Sequence, residues 1–197
     1  MVNAVPLFAS PLIHLNVKED TDQLINHQCE FVKTETYFET YSTKDNRVLT
    51  KFPKIEEILL NYFNKISTEV FQYTESFQIT TSWITKTKDT CSEFHHHKHS
   101  FYSGVYYFDE YSDDSGSLEF KNPLSSYSDF YLIPKKWSIM TNTSWSISPE
   151  KNLLVFFPSY LEHRIVNNKS ERQSLAFNIV PVGEYGYGDS AYNTSWF

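Results

Sequence analysis

Apolar residues recur with a helical period in the first third of the chain. The segment "PKIEEILLNYFNKISTEVF" (53–71) repeats them at every third or fourth position, and Pro53 stands where a first-turn proline is tolerated. The pattern predicts an amphipathic helix. A weaker version in "EDTDQLINHQCEFV" (19–32), preceded by Asp and Thr start signals, predicts an earlier one.

After about residue 77 the pattern changes to short β-branched and aromatic segments. They are "FQITTSWITKT", "FYSGVYYF", "SLEF", "FYLIP", "NLLVFFP", "HRIVNN" and "QSLAFNIVP". Turn-forming residues separate them at intervals typical of an all-β sandwich or barrel. We therefore predict one domain over residues 1–197, with a helical part at 1–76, a β core at 77–182 and an irregular tail at 183–197.

Composition narrows the class of protein. The 197 residues are 40% hydrophobic and carry a net charge of −7, which disfavours nonspecific nucleic-acid binding. Cys29 and Cys91 are too few for a disulfide framework. The first residues lack the basic region of a secretory signal, and no run approaches the roughly 18 apolar residues of a membrane span. We expect a cytoplasmic protein without membrane contact.

A histidine run, "HHHKH", raises the question of a metal site. It contains His95, His96, His97 and His99. In an extended chain His95, His97 and His99 share one face, so an H-x-H pair could grip a metal. A third ligand must come from elsewhere, and His163, after a buried-looking strand, is the natural choice. A solvated loop that binds metal only adventitiously is the alternative.

A second polar group follows His163. Strand alternation places Arg172, Ser174 and Asn178 on one face of "ERQSLAFNIVP". A buried guanidinium is costly without a partner, and a small molecule bearing a carboxylate would supply one with bidentate geometry. The alternative is a surface arginine paired with Glu171 or another acid.

These motifs together resemble those of a known enzyme family. The stretches "HHHKHSFYSGVYY", "SGSLEFKNP", "FPSYLEHRIVNN" and "ERQSLAFN" resemble, in this order, the Fe(II)/2-oxoglutarate dioxygenase superfamily. The chain looks most like the bacterial and phage branch of oxygenases related to prolyl hydroxylases. The resemblance covers most of the chain. It implies an α+β, mainly β fold: a double-stranded β-helix (jelly roll) with N-terminal helices packed on one sheet.

The resemblance also implies a ligand set. His95, His97 and His163 would bind Fe(II), although His97 stands where the superfamily usually has Asp or Glu. Two alternatives remain open: the pair could shift to His97 and His99, or Glu93 could supply a carboxylate. The following Ser-Gly-Val-Tyr-Tyr favours His95 and His97.

By the same resemblance, the remaining site residues would hold the cosubstrate. Arg172 would pair with the distal carboxylate of 2-oxoglutarate, helped by the hydroxyl of Tyr107. Ser174 could assist Arg172, Ser103 shares the strand face of Tyr107, and Asn178 would line the pocket or serve as a structural amide.

The predicted activity is that of a 2-oxoglutarate-dependent dioxygenase. It would use Fe(II) and O2 to hydroxylate an unidentified substrate and release succinate and CO2, with a peptide or protein side chain favoured over a small molecule. The substrate entrance is expected within 109–115, 124–148 and 183–197, and a homodimer is compatible with the sequence. Alternatives are a jelly-roll metal-binding or structural protein and a cupin-like non-redox metal enzyme.

Overall fold

The computed structural model describes residues 9–34, 39–89, 91–125, 130 and 132–194. Within them the chain forms one α-helix, α1 (Pro53–Ile66). The strands are β1 (Ile13–Asn16), β2 (Phe31–Lys33), β3 (Thr40–Thr43), β4 (Ser76–Thr87), β5 (Tyr102–Tyr106), β6 (Ser115–Lys121), β7 (Ser144–Ile147), β8 (Leu153–Pro158), β9 (His163–Asn168), β10 (Arg172–Val182), β11 (Glu184–Tyr185) and β12 (Tyr192–Asn193). None of the described helices is long and apolar enough to cross a membrane.

The strands form a large and a small antiparallel sheet, with a separate hairpin near the end of the chain. The seven-stranded sheet has the order β1-β8-β5-β10-β4-β3-β2, and the three-stranded sheet has the order β7-β6-β9. β11 pairs with β12. The predicted mainly β architecture is confirmed.

The centre of the large sheet is covered on both faces, which explains why every residue of β5 and β8 is buried. On one face α1 packs its apolar stripe, with the Phe63 ring 5.1 Å from that of Phe77 and 5.4 Å from that of Phe156. On the other face Tyr107 and Phe157 pack with residues of the small sheet. Strands buried on both faces read as continuous apolar runs, as "NLLVFFP" does.

The helix predicted over 19–32 is wrong. A 3₁₀ turn, Asp22–Leu24, and strand β2 occupy this segment. The Asp20 carboxylate accepts a hydrogen bond from the backbone N–H of Asp22 at 2.9 Å, which favours a turn over a continuing helix. β2 pairs with β3, so tertiary hydrogen bonding outweighs a weak helical period.

Three smaller expectations need correction or restriction. Residues 1–76 are not helical throughout, because β1, β2 and β3 fall within them. The strand predicted for "FYLIP" does not form at the described residues 130 and 132–134. The tail is not wholly irregular, since the β11–β12 hairpin lies in it. The predicted entrance stretches 124–148 and 183–197 lie partly outside the described residues.

Candidate metal centre

The backbone brings the histidine run and His163 together. The N–H of His95 donates to the carbonyl of His163 at 3.1 Å, and the N–H of His163 donates back to His95 at 2.9 Å. The N–H of His97 donates to the carbonyl of Ser159 at 3.0 Å. Two segments more than 60 residues apart in sequence therefore run antiparallel here.

The three imidazoles converge at this point. One ring nitrogen from each of His95, His97 and His163 lies within 4.8 Å of the other two, and the Nε2 atoms of His97 and His163 are 3.3 Å apart. Nδ1 of His95 is 3.1 Å from the carbonyl oxygen of Glu93, and Nδ1 of His163 is 2.9 Å from that of Leu161. An N–H at each Nδ1 leaves the Nε2 lone pair available to a metal.

Burial keeps two of these rings neutral. Burial, together with the smaller effect of the nearby His95, lowers the pKa of His163 from 6.5 to about 3 and that of His97 from 6.5 to about 4. The His97 ring also stacks on Trp83, at 5.4 Å between centroids and 23° between planes. A neutral imidazole is the form that binds metal, so the site is ready for a cation at neutral pH.

The alternative ligands do not join the cluster. Among the described residues, the only group of three or more His, Cys, Asp or Glu side chains close enough to share an ion is His95, His97 and His163. His99 has a φ of 59°, so the extended chain ends there and strand alternation no longer applies. The Glu93 side chain lines the neighbouring cavity without completing a ligand set.

A cavity of 370 Å³ opens beside the histidines, between the two sheets. Its lining includes the three imidazoles, Ser103, Tyr107, Arg172 and Ser174. Val105, Leu118 and Phe157 supply apolar walls. This size lies at the lower end of the range typical of small-molecule sites.

Two hydrogen-bond donors in this cavity are buried and lack a partner within the part of the chain that the structure describes. Arg172 is 2% exposed and donates from one terminal nitrogen to the carbonyl of Ser115 at 2.9 Å, but its Nε has no partner. The hydroxyl of Tyr107, which is fully buried, has none either. Glu171, the acid considered as a partner of Arg172, pairs with Lys86 at 2.9 Å.

The geometry of this pair fits a carboxylate. The Arg172 guanidinium carbon lies 5.3 Å from the centre of the Tyr107 ring. Burial raises the pKa of Tyr107 and outweighs the lowering effect of the neighbouring Arg172, so its hydroxyl stays protonated as a donor. Buried donors are rarely left without an acceptor in native proteins, so an anion between these groups is the natural completion.

The remaining predicted residues take different positions. Ser174 is buried and lines the cavity. The Ser103 hydroxyl also lies there, but it is 2.9 Å from the side-chain amide of Asn178, which in turn is 2.9 Å from the hydroxyl of Thr81. Asn178 does not line the cavity. Its amide is engaged by protein groups, which favours the structural alternative for this residue.

Sequence reasoning missed Trp83 and Ser159. Trp83 stands two residues after Thr81 on β4, and its strand phase could have indicated that it faces the cavity. Ser159 follows Phe157 and Pro158 in the motif before His163, but its contacts depend on how the two segments pair, which the sequence does not reveal.

Comparisons with known proteins agree with this geometry. The sequence model of a family described as "Putative 2OG-Fe(II) oxygenase" matches residues 81–178, which contain all three histidines, Tyr107 and Arg172. No curated protein sequence matches. HygX from Streptomyces hygroscopicus, solved with nickel and 2-oxoglutarate bound, is 12% identical with a TM-score of 0.59, covering 87% of this chain and 83% of that one.

Two prolyl hydroxylases also share the fold. A prolyl-4-hydroxylase from Pseudomonas putida is 15% identical with a TM-score of 0.57, covering 90% of this chain and 96% of that one. One from Trichoplax adhaerens, in complex with a hypoxia inducible factor peptide, is 11% identical with a TM-score of 0.58, covering 85% and 82%. These likenesses confirm the jelly-roll fold, while the narrower bacterial and phage branch stays a prediction. The chain belongs to the 2-oxoglutarate/Fe(II) oxygenase family.

Proposed function

We propose that the protein binds Fe(II) and 2-oxoglutarate in this cavity and hydroxylates a substrate, releasing succinate and CO2. One observation carries the proposal. Two buried donors that find no partner among the described residues, Nε of Arg172 and the hydroxyl of Tyr107, line the same cavity as three converging imidazoles. A dicarboxylate would accept hydrogen bonds from these two donors at one end and bind a metal held by the imidazoles at the other.

The residues that would hold the metal are His95, His97 and His163. Imidazole ligates Fe(II) well, and three neutral ligands leave the centre one positive charge higher than two histidines and a carboxylate would. A 2-oxoglutarate dianion offsets this charge. When bound, the iron supplies O2 activation driven by oxidative decarboxylation of 2-oxoglutarate.

The cosubstrate end of the cavity rests on Arg172 and Tyr107. The guanidinium would donate from Nε and the tyrosine from its hydroxyl to the distal carboxylate, with Ser174 beside them. The apolar walls formed by Val105, Leu118 and Phe157 exclude water around these charge-assisted bonds and so strengthen them.

For the substrate we propose a peptide or protein side chain. Phe120 pairs with His163 across the small sheet, so the β6–β7 connection leaves from the metal end of the cavity. This connection exposes several large apolar side chains, namely Leu124, Phe130, Leu132, Ile133, Trp137, Ile139 and Met140. Such a surface suits a macromolecular partner. Prolyl hydroxylases among the similar structures support the same class.

The cellular setting remains a proposal as well. The sequence contains only two cysteines, Cys29 and Cys91, and sparse cysteine is typical of proteins of a reducing compartment such as the cytoplasm. The homodimer considered from the sequence stays a prediction.

The decisive experiment is anaerobic. Fe(II) and 2-oxoglutarate added to the metal-free protein should produce a metal-to-ligand charge-transfer band, and subsequent oxygen should yield succinate. Metal binding without the band and without succinate would refute the proposal and favour a cupin-like enzyme or a structural jelly roll. The variant Arg172→Met, which lacks the guanidinium of the cavity, should lose the band; Arg47→Met, at an exposed arginine outside the cavity, is its matched control and should keep it.

A further inference from the structure

Ser159 touches both segments that carry the histidine cluster, although its hydroxyl does not reach an imidazole in any described contact. It is fully buried in the turn between β8 and His163. Its carbonyl accepts the N–H of His97 at 3.0 Å, and its own N–H donates to the carbonyl of Phe101 at 3.1 Å. The turn and the 97–101 segment are thus joined through the backbone of this one residue.

The side chain of Ser159 adds a second connection. Its hydroxyl donates to that of Ser100 at 2.9 Å and lies 2.8 Å from the hydroxyl of Ser103 on β5. Ser103 contacts the amide of Asn178 on β10 at 2.9 Å. One hydroxyl therefore links the H-x-H segment to the central strands of the large sheet.

The far end of this chain of polar groups returns to the metal centre. The Asn178 amide lies 2.9 Å from the hydroxyl of Thr81, and Trp83, two residues along β4, stacks on the His97 ring. His97 is thus held from two sides. Ser159 holds its backbone, and Trp83 holds its ring from β4, the strand in which the chain of polar groups ends.

A buried hydroxyl lowers the free energy of unfolding unless it forms hydrogen bonds, so its presence in this turn calls for a reason. An alanine would fill most of the same space without a polar group to desolvate. Fully satisfied buried networks fix one arrangement of the elements that they join. The elements joined here are the two that must keep His97 and His163 at a constant separation.

We propose that Ser159 is a positioning residue of the metal centre. Its hydroxyl sets where the His97 backbone sits relative to His163, and so tunes how tightly the three imidazoles bind a metal. This inference rests on the proposed function, because it takes His95, His97 and His163 as the ligands.

Ser159→Ala is a mild change for the fold. Ser100 keeps acceptors in the carbonyls of Tyr102 and Ile179, and Ser103 keeps Asn178. The matched control is Ser82→Ala. Ser82 is also buried, and its hydroxyl accepts the backbone N–H of Leu49 at 2.9 Å.

The test is titration of the metal-free full-length protein with Co(II), a redox-stable probe whose visible spectrum reports ligand geometry. Ser159→Ala should bind Co(II) about tenfold more weakly and shift its visible bands, as outer partners of metal ligands do. Ser82→Ala should lower the thermal midpoint about as much as Ser159→Ala does, and it should leave the Co(II) affinity and spectrum unchanged.

The outcomes distinguish the positioning role of Ser159 from the assignment of the three histidines as ligands. Unchanged Co(II) affinity and spectrum in Ser159→Ala would overturn the positioning role and leave a merely structural hydroxyl. Failure of the unsubstituted protein to bind Co(II) would instead overturn the ligand assignment. Should Ser159→Ala not fold, Ser100→Ala breaks the same chain at a partly exposed residue and is expected to weaken Co(II) binding in the same direction.

Discussion

Arg172 and Tyr107 face the same cavity, and each buries a hydrogen-bond donor that no atom of the described residues accepts. The guanidinium carbon is 5.3 Å from the tyrosine ring centre, so the two groups form one cationic, donor-rich corner. Leaving both buried donors without an acceptor costs folding free energy. A ligand that accepts from them recovers this cost, which makes the pair a binding feature.

Arg172→Met should abolish tight 2-oxoglutarate binding while preserving the fold. Methionine fills much of the same volume but removes the charge and all donors. Losing charge-assisted hydrogen bonds to a carboxylate is expected to weaken binding on the order of 100-fold. Calorimetric titration of the Co(II)-loaded protein measures it. Equal affinity in Arg172→Met and the unsubstituted protein would remove this residue from the cosubstrate site.

Tyr107→Phe should act in opposite directions on stability and binding. Without ligand, the substitution removes a buried hydroxyl that has no partner, so the free energy of unfolding should stay equal or rise by about 1 kcal/mol. With ligand, one donor is lost, and 2-oxoglutarate affinity should fall about tenfold. Urea unfolding and ligand titration of the same preparation give both values. A loss of stability in the ligand-free form would mean that the hydroxyl is already satisfied by the protein.

The register of the ligands can be tested by substitution within the run. His97→Ala should weaken Co(II) binding by more than about 100-fold, since losing a ligand exceeds the effect of losing an outer partner. His99→Ala should leave it unchanged, because the backbone turns at His99 and its ring lies outside the cluster. His97→Asp should retain a metal site by restoring a carboxylate. Strong weakening of Co(II) binding by both alanine variants would instead favour His97 and His99 as the pair.

The sequence predicted some features well for identifiable reasons. The α1 pattern is strong because one stripe, including Leu59 and Phe63, is buried against the sheet. The helix prediction for 19–32 was wrong because the pairing of β2 with β3 decides the structure of this segment, and local periodicity does not reveal that pairing. Alternation grouped His95, His97 and His99, whereas the left-handed backbone at His99 breaks that alternation.

The candidate site likewise contains residues that the sequence identified and residues that it did not. Spacing and resemblance selected His163 and Arg172, and the structure brings both to one cavity, although their roles stay predictions. The unmet donors and the contacts of Ser159 follow from how distant segments pack, so no spacing rule reveals them. Residues engaged in long-range hydrogen bonds are the ones that sequence reasoning assigned least well, as Asn178 illustrates.

Without metal, the stability of the protein should fall as the pH is lowered below about 6.5. His97 and His163 titrate near 6.5 in the unfolded chain, but their pKa values in the folded protein are about 4 and about 3. Between these values the unfolded state binds more protons, so each residue contributes a slope of up to about 1.4 kcal/mol per pH unit. Urea unfolding in chelator at pH 7 and pH 5 measures the slope. His97→Asn should flatten this slope, because it removes one of the two groups that titrate differently in the folded and unfolded states.

Gly104→Ala should destabilise the protein because β5 runs too close to a ring for any side chain. A Cβ atom at Gly104 would overlap Cζ of Phe177, its neighbour in the β5–β10 register. Phe177 is fully buried, so the clash forces rearrangement costing about 1–3 kcal/mol. Urea unfolding of Gly104→Ala, Phe177→Leu and the double variant forms a thermodynamic cycle. Because leucine lacks the atoms in conflict, the double variant should be more stable than the sum of the single effects predicts, and strict additivity would show that another contact excludes the side chain.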